Sequence, residues 1–142
     1  MKAIKGVLSV FVVLLLSCSV MAQDTEDLAG GERLFDYPEV PDTIITLENR
    51  TNYIVQNFWN NYDFSQPIRN ERVFEATFRD YVTFFKYAHK TIVVSCIKDM
   101  MRKAQSNKSN FLLIAEIAER ALYAPGAEYW SDEVYIPFLE SV

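Results

Sequence analysis

Few residues that cross-link or punctuate a chain occur in this sequence. It has two cysteines, four glycines, five prolines and one histidine in 142 residues. Two cysteines cannot build a disulfide-dense scaffold, and so few glycines and prolines exclude a collagen-like repeat or a low-complexity chain. There is no Cys-x-x-Cys, no Gly-rich loop and no Ser-centred elbow, so redox, phosphate-binding and acyl-transfer chemistry all lack their usual signature. No catalytic residue, metal ligand or cofactor is expected. The lone His89, beside Lys90 at a junction between helices, reads as a solvated or capping residue. What is present is apolar: half of the residues are hydrophobic and 14% are aromatic, enough for one ordinary core.

Residues 1–22 read as a secretory signal, because Lys2 and Lys5 precede an apolar run from Val7 to Leu16 that gives way to small residues. That run is about half of the roughly 20 residues a membrane-spanning helix needs, so no span is expected in the mature chain. Two processing sites compete. Val20-Met21-Ala22 before Gln23 fits signal peptidase, whereas Leu15-Leu16-Ser17-Cys18 resembles a lipoprotein box that would lipidate Cys18. Cleavage between Ala22 and Gln23 is favoured, since Leu16 is bulky for a lipobox. Either route exports the chain to the periplasm or cell envelope. With Lys2 and Lys5 removed, 12 of the 14 basic residues face 19 acidic ones, a net charge of −7. Such an acidic domain is poorly suited to nucleic acid or an anionic lipid surface. It also retains a single cysteine, Cys96, which reads as a structural thiol with a redox role as the alternative.

Residues 23–42 form an acidic linker broken by Gly30, Gly31, Pro38 and Pro41, whose apolar cluster of Leu34, Phe35 and Tyr37 either docks on the domain or stays free. Residues 43–142 carry helical periodicity, and the expected fold is an all-α bundle of about five helices. The first covers about 47–61 after an N-cap at Thr46, with Leu47, Ile54, Phe58 and Tyr62 inward and Val55 and Trp59 beside them. The second covers about 73–88 on a stripe of Phe74, Phe78, Tyr81, Val82 and Phe85. The third covers about 91–105 with Val93, Ile97, Met100, Met101 and Ala104 inward. The fourth starts after Asn107 or Ser109, carries Phe111, Leu112, Ala115, Ala118 and Leu122, and stops before Pro125-Gly126. The fifth starts at an N-cap of Ser131 and is bent or restarted by Pro137.

Four features invite a functional reading. The aromatic run 58–64 fits a sugar or peptide platform but suits a core better, and Glu128, Asp132 and Glu133 lack the spacing of a calcium loop. Asn49-Arg50-Thr51 and Asn107-Lys108-Ser109 match the N-glycosylation pattern, and Asp42-Thr43-Ile44 resembles a short bacterial O-glycosylation motif at Thr43.

Four landmarks occur in order: Trp59-Asn60-Asn61-Tyr62-Asp63-Phe64, Glu75-Ala76-Thr77-Phe78-Arg79-Asp80-Tyr81, Ala118-Glu119-Arg120-Ala121-Leu122-Tyr123, and Glu133-Val134-Tyr135-Ile136-Pro137-Phe138-Leu139-Glu140. Over about residues 38–142 the chain thereby resembles a helical domain of unknown function found in secreted bacterial proteins ahead of a thioredoxin-like domain. The resemblance implies an envelope location and a helical accessory domain, with a thioredoxin-like protein or a client peptide as partner. In that family, thiol–disulfide exchange belongs to a Cys-x-x-Cys beyond the helices. This sequence stops at Val142 without one, and Cys96 matches no catalytic position of the family. The expectation is a non-catalytic binding or accessory domain. The alternatives are a truncated fragment of an envelope oxidoreductase, or a single-cysteine redox protein using Cys96.

Overall fold

The computed structural model describes residues 33–127, 129 and 131–142. The proposed signal, Cys18, Ala22 and Gln23 lie outside the described residues, as does Glu128 of the acidic cluster. Among the described residues the chain forms five α-helices: α1 Leu47–Asn57, α2 Glu71–Thr83, α3 Lys90–Ala104, α4 Lys108–Leu122 and α5 Asp132–Leu139, with one 3-10 turn at Phe84–Lys86. The all-α expectation holds. α3 sits at the centre, packed against α1, α4 and α5, while α2 packs against α4.

Capping explains where the helices begin. Thr46 Oγ1 accepts from Asn49 N–H (3.3 Å), Asn70 Oδ1 from Val73 N–H (3.2 Å), and Asn107 Oδ1 from both Ser109 N–H (3.1 Å) and Asn110 N–H (3.2 Å), so each polar side chain satisfies first-turn donors. Ser131 stands at the N-cap of α5, but its hydroxyl makes no capping bond. α4 ends in a turn over Ala124-Pro125-Gly126-Ala127, closed by Ala127 N–H on Ala124 O (2.8 Å). Pro125 presets the first central position, and Gly126, at φ 85, takes the second, which needs a left-handed backbone.

The stripe expected on α3 is buried as read: Val93, Ile97, Met100, Met101 and Ala104 are each at most 2% exposed. Elsewhere the inward sets differ. α1 closes at Asn57, short of the expected end near 61, and hydrogen-bonded turns through Asn60 and Tyr62 carry the aromatic run instead. Leu47 points to solvent; Thr51, one turn on, is buried instead and returns its hydroxyl to Leu47 O (2.7 Å). On α4 the buried face is Asn110, Ile114, Ile117, Ala118, Ala121 and Leu122, leaving Leu112 exposed and Phe111 and Ala115 at the margin. The rotation follows Asn110, whose side chain donates to Phe64 O and Gln66 O (2.7 Å each) and accepts from Ile68 N–H (3.1 Å). α5 runs unbroken through Pro137, which is buried; Tyr135 and Phe138 face inward, but Ile136 and Leu139 do not.

Leu34, Phe35 and Tyr37 pack on the core, so the aromatic part of the linker is docked. Phe35 lies edge-on to Phe58 (5.6 Å) and Trp59 (5.5 Å), and the Tyr37 hydroxyl donates to Asp80 Oδ2 (2.5 Å). Burial and the neighbouring Asp80 carboxylate together push the Tyr37 phenol above its ordinary range.

Candidate functional site

The sequence singled out Cys96 as the residue with intrinsic reactivity. α3 places it beside the buried Ile97 stripe, partly buried, lining a crevice of about 310 Å³ with Trp59, Tyr81, Asp99 and Lys103. Burial pushes the Cys96 thiol up, and the Asp99 carboxylate pushes it the same way. A nucleophilic thiol needs the opposite, a stabilised thiolate. The cation closest to hand is already engaged: Lys103 Nζ lies 2.8 Å from Asp99 Oδ2, and Arg102 also pairs with Asp99.

Two atoms by this crevice are unusual. Trp59 Nε1 and Tyr81 Oη are buried and find no hydrogen-bond partner among the described residues. The rings themselves are held on all sides, Trp59 stacked on Phe74 (5.5 Å, 25°) and Tyr81 against Phe58 (4.9 Å). The aromatic run 58–64 is therefore core: Phe58, Trp59 and Phe64 are at most 6% exposed. Sequence spacing identified these rings as apolar packing, but nothing in it shows which polar tips end without a partner.

The remaining candidates are dispersed. His89 is the N-cap residue of α3, exposed, with its N–H on Asn52 Oδ1 (2.7 Å), a contact that ties the start of α3 to α1. Thr43 is exposed in the turn closed by Ile44 N–H on Pro41 O (3.0 Å). Of the two N-glycosylation patterns, Thr51 has its hydroxyl buried in α1, and the Asn107 side chain is spent on capping α4 and on Ser65 O (3.2 Å). Asp132 and Glu133 begin α5, where the helix dipole favours acids, and Glu133 meets Lys90 at 2.6 Å. No group of three or more metal-ligating side chains occurs among the described residues, and no described helix is long and apolar enough to cross a membrane.

The most extensive charge network fastens α4 to α2. Arg120 reaches Glu116 (2.7 Å), Glu75 (2.8 Å) and Glu71 (3.2 Å), and Arg79 adds a second contact to Glu75 (2.9 Å). The Arg120 hydrogen bond holds the Glu75 carboxyl below its ordinary range. The local i,i+4 pair Glu116–Arg120 is thus part of a tertiary contact.

A surface of different character lies along α5. Tyr123, Ile136 and Leu139 are 47%, 48% and 54% exposed, and Tyr123 stacks on Tyr135 (5.1 Å, 16°). A helix of eight residues buries only one stripe, and Tyr135, Pro137 and Phe138 fill it, which leaves Ile136 and Leu139 outward.

The described residues bring together no nucleophile, base and oxyanion donor in one place. A crystal structure of a thioredoxin-like protein from Bacteroides caccae is similar to this chain over 78% of its length, at 24% sequence identity and a TM-score of 0.72. This chain covers 40% of that one, and at this identity the likeness is one of fold. No curated protein matches. The family model described as a domain of unknown function (DUF5106) matches residues 17–142, nearly the whole sequence, and the chain therefore belongs to the DUF5106 family.

Proposed function

We propose that this chain is a non-catalytic helical accessory domain of the bacterial cell envelope, which holds or positions a thioredoxin-like protein. The observation that carries this reading is the shared fold: a match over 78% of this chain that takes up 40% of a protein described as thioredoxin-like, leaving the larger part of that protein to other structure. The raised Cys96 thiol supports a role without redox chemistry of its own, in which the helices supply surface and stability to a partner that reacts. The charged leader and apolar run of residues 1–16 support export.

The direct test incubates the purified chain at micromolar concentration with envelope extract of Bacteroides caccae, cross-links, and identifies the captured proteins by mass spectrometry. Enrichment of a thioredoxin-like protein is the expected result, and capture of none overturns the proposal. Intact mass of the chain recovered from an exporting bacterial host decides its processing. A mass beginning at Gln23 supports cleavage after Ala22, a diacylated mass beginning at Cys18 supports the lipoprotein route, and an added glycan that disappears in Thr43→Val supports modification at the exposed turn.

A further inference from the structure

The face formed by α5 and the end of α4 combines three observations that no buried role explains. First, Ile136 and Leu139, one helical turn apart, stand about half exposed beside the stacked rings of Tyr123 and Tyr135, and together they line a groove of about 430 Å³. Second, this apolar strip is bordered by Glu119 on α4 and Asp132 at the start of α5. Third, those two carboxylates pair with no cation among the described residues, although the other acids of the α5 segment do: Glu133 reaches Lys90 and Glu140 reaches Lys98 (3.1 Å), both lysines of α3. The acids turned toward the bundle are neutralised, and those turned toward the apolar strip are not.

We propose that this face binds a protein or peptide surface with an apolar side chain at its centre and lysine or arginine at its rim. Hydrophobic burial supplies the attraction at the centre, and the unpaired carboxylates select and orient the partner through complementary charge. The same arrangement disfavours a second copy of this chain. Pairing the face with itself about a two-fold axis sets Glu119 and Asp132 of one copy near those of the other, with no cation between them. An anionic membrane is disfavoured for the same reason. The proposal rests on the accessory-domain reading for the existence of a protein partner, and it specifies where and by what chemistry that partner docks.

The test uses the full chain and two synthetic amphipathic peptides with the same leucine and phenylalanine positions, one with lysine at the flanking positions and one with glutamate. Methyl signals of Ile136 and Leu139, assigned through Ile136→Val and Leu139→Val, are followed by NMR during titration. The lysine-rimmed peptide is expected to shift them saturably and to bind at least about tenfold more tightly than the glutamate-rimmed one, with the difference shrinking as salt is raised. The double reversal Glu119→Lys with Asp132→Lys is expected to invert that preference. Reversal of two exposed acids elsewhere, Glu39→Lys with Glu48→Lys, is expected to leave it, which separates local recognition from the overall negative charge. Equal binding of the two peptides, shifts that map to another face, or an unchanged preference after Glu119 and Asp132 are reversed each overturn the proposal. Any of these results leaves the envelope cross-linking experiment free to support or refute the accessory role separately.

Discussion

The two halves of the core are built from different material. Around the end of α1, the following turns and α2, the interior is aromatic: Phe58, Trp59, Phe64, Phe74 and Tyr81, closed over by Phe35 and Tyr37. Where α3 meets α4, it is aliphatic and small: Ile97, Met100, Met101, Ala104, Ile114, Ile117, Ala118 and Ala121. Small residues let two regular helices approach closely, so the second half needs only periodicity. The first must fill the space around chain that is not helical, and large flat rings in edge-to-face contact do so at the cost of exacting geometry. It is also the half where polar tips are left over, on Trp59 and Tyr81.

If this contrast is right, it breaks first at Phe58, which lies among Phe35, Tyr37, Tyr81 and Phe84. Phe58→Ala is expected to cost about 3–5 kcal/mol, read from the midpoint of urea unfolding, because the surrounding rings cannot collapse into the gap. A loss below about 1 kcal/mol would show that the aromatic half repacks freely.

Second in size is Asn110→Ala, which joins the two halves. It strips Phe64 O, Gln66 O and Ile68 N–H of their partner, and a loss of about 2–3 kcal/mol is expected, since buried polar groups left unpaired cost about 1–3 kcal/mol each and part of this loop regains water. Met101→Leu, wholly buried in the aliphatic half, sharpens the comparison from the other side: a volume-conserving change there should cost less than about 1.5 kcal/mol.

Smaller still is the effect of Glu75→Gln on the Arg120 network, where both side chains keep partial contact with water (23% and 35% exposed). At neutral pH it should cost about 0–1 kcal/mol. The pH dependence is more telling. Glu75 has its folded value lowered, so its contribution is complete above the ordinary carboxyl value of 4.5 and is lost as pH falls through the folded value below it. Stability of Glu75→Gln, followed by circular dichroism, should therefore decline less steeply than that of the parent below about pH 4.5; parallel curves would remove Glu75 from the acid response. Smallest of all is Tyr81→Phe. Its hydroxyl has no partner, so removing it should change stability by about zero or raise it slightly, and a clear loss in thermal unfolding would reveal a bond that the geometry does not show.

The same contrast explains how much of the fold is legible in the sequence. The inward stripe of α3 is legible to the residue, because its positions are all apolar at helical spacing and no polar side chain competes. On α4 the apolar pattern points to a face rotated from the buried one, because Asn110 counts as polar in any pattern. Its burial depends on carbonyls at 64 and 66, more than forty positions away in sequence. Leu47 misled in the opposite sense: it is apolar, but the first turn of α1 overhangs the core. Docking of Phe35 and Tyr37 was left open by a segment without periodicity, since only the receiving rings decide it. The α5 face was hidden for a related reason. Tyr135, Ile136, Phe138 and Leu139 form one apolar cluster in the sequence, and only the position of α3 divides those that are buried from those that are offered outward.

The Asn110 side chain also sets a clock. The loop between α1 and α2 owns no ladder of hydrogen bonds, yet its Ile68 N–H is held by a residue of α4, 42 positions later. That proton can exchange with solvent only when α4 and the loop part, so a stretch of irregular chain takes on the opening rate of a helix. In hydrogen-exchange terms, the Ile68 amide is expected to be protected alongside α4, whereas the Ser65 and Gln66 amides, which bond to Asp63 inside the loop, are expected to exchange on the loop's own terms.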